Sequence, residues 1–154
     1  MKQIVALATL ATLALSGCST TAPSPQDSTE GGPSLDVFGI ALGACLNDAS
    51  IPLGSDVAEV PQVPCTEPHD SELYAILGLE GSVFPGEERI ISEGQERCAS
   101  AFGDFVGIPF ANSTLEFRFY YPSASSWSQG DRSIYCVAFD PGLQTTGSLL
   151  DAQR

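Results

Sequence analysis

Positive charge and histidine are what this 154-residue chain has least of. It holds 6 Lys and Arg against 19 Asp and Glu, one histidine (His69), and a formal charge of −13. A surface of that sign repels phosphodiester backbones, which excludes nucleic acid as a partner class. A lone histidine and the lack of any Cys-x-x-Cys pair argue against the common zinc sites. No Gly-x-Ser-x-Gly turn supplies the strained nucleophile of an α/β-hydrolase, and no EF-hand-like run offers a calcium loop. We therefore expect no metal, no cofactor and no catalytic residue. There is no internal repeat, and no apolar run reaches the roughly 20 residues that a spanning helix needs.

The nearest approach to such a run lies at the start. Residues 4–15 are apolar apart from two threonines and follow a minimal positive segment, Met1-Lys2-Gln3. They lead to Leu15-Ser16-Gly17-Cys18, which has the form of a lipobox cut by signal peptidase II. Only a thiol can form the thioether to diacylglycerol, so Cys18 is the expected lipidation site. Several acyl chains on one residue give stable anchoring where a single chain would be marginal. Residues 1–17 are read as the signal peptide, and losing Lys2 with it shifts the formal charge from −13 by one, to −14. Residues 18–34 are rich in Ser, Thr, Pro and Gly and are read as a disordered tether with a span of ~20–25 Å. The expected location is the extracytoplasmic face of a cell membrane, held there by lipid.

With Cys18 set aside, Cys45, Cys65, Cys98 and Cys136 remain. An even number in an exported chain predicts two disulfides. Residues 35–142 are expected to form the folded domain, and residues 143–154 a polar tail that frays. Within the domain, residues 37–46 suggest a first strand and residues 47–64 a long connection pinned by a Cys45–Cys65 bridge. Residues 72–79 alternate as a strand. Residues 92–107 read as the main helix, with Ser92 and Gln95 as its capping box and Cys98, Ala101, Phe102 and Phe105 on one face. Residues 114–121 alternate cleanly, Leu115, Phe117, Phe119 and Tyr121 against Thr114, Glu116, Arg118 and Tyr120. Residues 133–139 are apolar on both sides, as a central strand would be. The pattern predicts a small α+β domain, one helix packed on an antiparallel sheet. Cys98 on the buried helix face then meets Cys136 in the strand beneath, leaving Cys45 for Cys65.

Two short segments carry polar groups that could act. In Cys65-Thr66-Glu67-Pro68-His69-Asp70, His69 could serve as a general base oriented by Asp70, or could cap local backbone beside a bridge. In Trp127-Ser128-Gln129-Gly130-Asp131-Arg132, Gly130 suits a positive-φ turn, and Asp131 with Arg132 could bind a ligand or fix that turn. The structural alternative is the expectation for both, and His69 is expected to tolerate replacement better than Asp131 or Arg132.

The order Cys45, Val-Pro-Cys-Thr-Glu-Pro-His-Asp, Cys98 in a helix, then Trp-x-x-Gly-Asp-Arg before Cys136, resembles the septum formation domain family of actinobacterial envelope proteins. The resemblance spans about residues 43–136. It implies a domain held outside the membrane behind a membrane segment or lipid anchor, and it supports the same bridge pairing. The expected function is a non-enzymatic envelope interaction domain linked to septum formation and cell division, its partner a divisome or other envelope protein or a cell-wall component. The alternative is an envelope hydrolase or transferase using His69 with an acidic partner.

Overall fold

The computed structural model describes residues 34–36, 39–51, 57 and 59–154. The signal segment, Cys18 and the tether up to residue 33 lie outside the described residues, as do Val37 and Phe38 of the expected first strand.

Among the described residues, six strands, two α-helices and one 3-10 turn follow in the order β1 (Ser34–Asp36), β2 (Cys45–Leu46), β3 (Glu59–Val63), β4 (Ser71–Gly78), α1 (Glu87–Val106), the 3-10 turn (Phe110–Asn112), β5 (Glu116–Tyr120), α2 (Ala124–Ser128) and β6 (Ser133–Phe139). The strands lie side by side as β1-β3-β2-β4-β6-β5, every pairing antiparallel. This is the α+β domain that the periodicity predicts, with one main helix packed on an antiparallel sheet.

β6 earns its central place by its sequence. Ile134, Cys136 and Ala138 join the core beneath α1, while Tyr135 and Val137 join a second core on the opposite face with Leu46, Val60, Leu73 and Tyr120. β5 keeps its predicted alternation: Leu115, Phe117, Phe119 and Tyr121 pack on the helix side. β4 does not. A register shift between Leu73 and Ala75 sends Leu73 to one core and Tyr74 and Ala75 to the other. One extra residue at such a bulge resets which face each side chain takes.

The helix starts earlier than its capping box suggests. Its N-cap is Gly86, which makes no side-chain cap, and Ser92 sits inside it. Ile90, Gly94, Cys98, Phe102 and Val106 form one buried stripe at four-residue spacing. Burying Ile90 against the sheet outweighs the roughly 1 kcal/mol of a side-chain cap. Gly107 ends the helix with φ 85°, donating its N–H to Gly103 O at 3.0 Å.

Three other expectations change. Residues 40–44 are irregular rather than strand, and β2 begins only at Cys45. The connection before Pro64 holds β3, paired to β2 through Cys45↔Val63 and Leu46↔Gln62. The residues after Gly142 do not fray. Leu149 is buried in the helix-side core, and the segment bonds back to buried Glu72 of β4 and to the last carbonyls of α1, Phe105 O and Val106 O, which a helix end leaves without intrahelical donors. The bridges are Cys45–Cys65 and Cys98–Cys136, as expected, with Cα–Cα distances of 5.3 and 5.7 Å.

Candidate functional site

His69 lies between β3 and β4 and is fully buried. Its backbone exchanges hydrogen bonds with Thr145 in both directions at 2.9 Å. Its Nδ1 faces Glu67 O at 2.9 Å and its Nε2 faces Thr145 Oγ1 at 3.1 Å. A carbonyl can only accept, so Nδ1 carries the proton and Nε2 accepts from the threonine hydroxyl. Both ring nitrogens are thus committed to the chain itself. Asp70 turns away from the ring, accepting from Ala49 N–H and from Gln144 Nε2, each at 2.9 Å. The dyad that would make His69 a base oriented by Asp70 is not formed.

The second segment closes a knot around the turn into β6. Trp127 is buried on the short helix α2, which Ser123 and Ser126 start with a reciprocal capping box. Arg132 lies over the indole, its Cζ 3.8 Å from the ring centroid. Its Nε donates to Gly81 O at 3.1 Å and its Nη1 to Trp127 O at 2.7 Å. Trp127 Nε1 donates to Ser82 O at 3.3 Å. Asp131 takes Ser126 Oγ–H on one oxygen and Ser133 N–H on the other, each at 3.0 Å. Gly130, at φ 103°, supplies the turn. The carboxylate and guanidinium therefore do not pair with each other; each binds neighbouring chain. Beside the knot is a cleft of 490 Å³ lined by Ser126, Gln129, Gly130, Asp131, Arg132 and Tyr135. Among the described residues no hydrogen bond or ion pair joins His69 to Asp131 or Arg132.

A third cluster was not legible as a site. Asp48 is fully buried, and its Oδ1 accepts from Ser71 Oγ at 2.7 Å and pairs with Arg118 Nη2. Its Oδ2 accepts from Tyr120 O–H at 2.5 Å. Burial raises the Tyr120 pKa far above its ordinary value; the Asp48 charge and hydrogen bond add to this, and Arg118 partly opposes it. The alternation of β5 did place Arg118 and Tyr120 on one face. What sequence could not supply is that residues 40–51 fold over that face. Glu72 is likewise buried, accepting from Ser148 Oγ at 2.7 Å and from Leu149 N–H at 2.6 Å. It lies close to Cys45 and Cys65, but those sulfurs are joined to each other and offer no thiolate to a metal.

Fold and motifs together define a class: a disulfide-stapled α+β domain whose two polar motifs brace its own loops. The pattern of the septum formation family matches residues 41–149, and the chain belongs to that family. No curated protein and no solved structure matches it.

Proposed function

We propose that this protein is an exported lipoprotein whose folded domain acts by binding rather than by catalysis, in septum formation at the cell envelope. Cys18 carries the lipid, and the domain stands on the extracytoplasmic face of the cell membrane. Its partner is a divisome or other envelope protein, or a component of the cell wall. The observation that supports a binding role is the commitment of His69, Asp131 and Arg132 to the chain's own backbone and hydroxyls. A general base needs a free nitrogen within reach of a substrate proton, and His69 has neither nitrogen to spare. The family match supports the link to division.

Mass spectrometry of the mature N-terminus tests the anchor, and a diacylglyceryl-cysteine at Cys18 is expected. A free chain beginning elsewhere would remove the basis for the location. Fluorescence localisation through the division cycle, with cross-linking at native abundance, tests the role. Even distribution around the cell and no cross-linked envelope partner would defeat it. If His69→Ala and Asp131→Ala melt like the wild type yet abolish the same division phenotype, the hydrolase or transferase reading takes its place.

A further inference from the structure

β4 is paired with β6 from Ser71 to Gly78, but β2 covers its other side only at Ser71 and Glu72. We propose that the uncovered part of that side, around Ile76, takes an extended segment of a partner protein as an added strand. The segment it fits is uncharged or basic, and apolar at alternate positions. This deepens the binding role proposed above and rests on it.

The phase of the β4–β6 ladder shows which backbone groups are free. In an antiparallel pair, residues alternate between bonding across to the partner strand and turning both backbone groups away. Leu79 N–H donates to Arg132 O at 2.6 Å, so Leu79 and Leu77 face β6 while Gly78 and Ile76 face outward. Arg97 of α1 agrees from the outer side, where its Nη1 donates to Gly78 O at 2.9 Å. On that same side Gly43 N–H donates to Leu73 O at 2.8 Å. There the cover ends, because the chain before Gly43 turns, Ala44 N–H closing on Ala41 O with Gly43 at φ 81°. Between these two ends, Ile76 N–H, Ile76 C=O and Gly78 N–H have no protein partner among the described residues.

An open edge is a template for another chain, and folds usually blunt it with charge, proline or a bulge. Here the bulge lies before Ala75, and the one nearby guanidinium is engaged by Gly78 O and Glu93. Ile76 itself is apolar and 42% exposed, and Leu42, beside Gly43, is 64% exposed. Main-chain bonds to Ile76 and Gly78 hold an added strand, and every second side chain of that strand falls on the Ile76 face. Beyond Gly78 the edge opens into a cleft of 600 Å³ whose walls include Val83, Phe84 and Arg97, so the strand can run on past β4.

The kind of occupant follows from charge. Glu93 and Arg97 neutralise one another beside the edge, at 2.6 Å, while the whole chain carries −13. An acidic segment is repelled on approach, and so is a second copy of this chain. A neutral or basic segment meets no such barrier and brings the strand donors and acceptors that the edge lacks.

Amide-resolved NMR and hydrogen exchange on the mature chain test this. In the free chain the Ile76 amide should exchange about tenfold or more faster than the Leu77 amide, which bonds to β6. The probe is the capped heptapeptide Lys-Val-Thr-Val-Thr-Val-Lys. It should give saturable shifts at Gly43, Ile76 and Gly78 and slow the exchange of Ile76. The same peptide N-methylated at its five central residues, which removes its strand donors, should give none. A version with glutamate for both lysines should bind about tenfold more weakly. Ile76→Thr keeps a β-branched residue in the strand and should weaken binding about fivefold through lost apolar burial. Leu42→Ser, at an exposed position, should weaken it too and leaves the core untouched, so a fold defect in the first variant does not decide the matter. Slow exchange of Ile76 in the free chain, no response to the lysine peptide, equal binding of the methylated one, or shifts confined to β5 would overturn the proposal. Protection of Ile76 that rises with protein concentration alone would give the edge to a second copy, and overturns it as well. Even localisation with no cross-linked partner ends the binding role whatever the titration shows, whereas a failed titration beside a septal partner ends only this site.

Discussion

Arg132 carries a full charge, yet its partners are an indole face and carbonyl oxygens. Replacing it by alanine removes a cation–π contact of about 0.5–2 kcal/mol and takes the side-chain donor from Gly81 O and from Trp127 O, of which the second keeps Gly130 N–H, so a loss of about 1–3 kcal/mol is expected. Arg132→Lys should recover only part of this, because a point ammonium cannot serve the ring and two carbonyls in one plane. His69 changes standing. It is among the largest fully buried side chains, so His69→Ala opens a cavity and strands the Thr145 hydroxyl, also at about 2–3 kcal/mol. Thermal unfolding checks both, and a His69→Ala protein that melts like the wild type contradicts the burial argument. Two tyrosines set an alkaline limit. Burial raises the Tyr74 and Tyr120 pKa values far above 10.0, so their neutral forms persist in the fold while the unfolded chain ionises. Their contribution is complete below pH ~10 and is lost above it, at up to about 1.4 kcal/mol per pH unit for each. Denaturant midpoints measured from pH 9 to 11.5 should fall, and fall less steeply in Tyr74→Phe; an equal slope in that variant counts against the account.

The contact of α1 with β5 is closer than any helix propensity would reveal. A Cβ built on Gly94 meets Phe119 Cε2 at 2.6 Å, so the ring lies directly on the helix backbone. Alanine is the better helix former by about 1 kcal/mol, yet overpacking costs ~1–3 kcal/mol. Gly94→Ala is therefore expected to lower the melting temperature, and Phe119→Leu in the same chain to restore part of it; a rise in melting temperature for Gly94→Ala alone would be the contrary result. Gly94 shows what a sequence conceals, since a helical glycine reads as a weak point until its neighbour is known. The Cys98 and Phe102 face of α1, the two faces of β6 and the alternation of β5 were legible, because burial on fixed faces imposes period on the residues themselves, while the first turn of α1 and buried Ile90 lay before the expected start. β3 was not legible, because Pro61 within it and Pro64 beside it read as connection, and β2 is only the last two residues of the strand expected over residues 37–46. Asp131 and Arg132 hold the turn into β6 as expected of them, each through backbone or hydroxyl partners rather than through the other. The cluster at Asp48 was hidden because its members stand 72 residues apart at the extremes, Asp48 to Tyr120, and meet only when a loop covers the sheet.

At the scale of the molecule, three ties close the domain: two disulfides and the final twelve residues. The bridges span 20 and 38 positions, and loop entropy assigns them roughly 3.3 and 3.9 kcal/mol, large beside the ~5–15 kcal/mol of a typical domain. The C-terminal segment is a third tie of comparable weight, though its polar composition predicts fraying. Leu149 enters the core beneath α1, and Ser148 and Leu149 supply the donors for buried Glu72. Thr145 completes His69, while Asp151 N–H and Gln153 N–H cap Phe105 O and Val106 O at the helix end, at 2.8 and 2.9 Å. A chain stopped after Gly142 loses all of these at once. Burial of one leucine is worth about 1.5–3 kcal/mol, and a carboxylate and a histidine deprived of partners add to the loss, so about 4–6 kcal/mol is expected. A chain stopped after Ala152 keeps Leu149, Ser148 and Thr145 and loses only the Gln153 cap and the Arg154 contacts with Asp140 and Ser113; for exposed groups that is about 1–2 kcal/mol. Denaturant unfolding with both bridges intact separates the two. A large gap between the truncations places the weight on the buried partners of Glu72 and His69, whereas equal midpoints for the full chain and the Gly142 stop would mean that the segment merely rests on a domain complete without it.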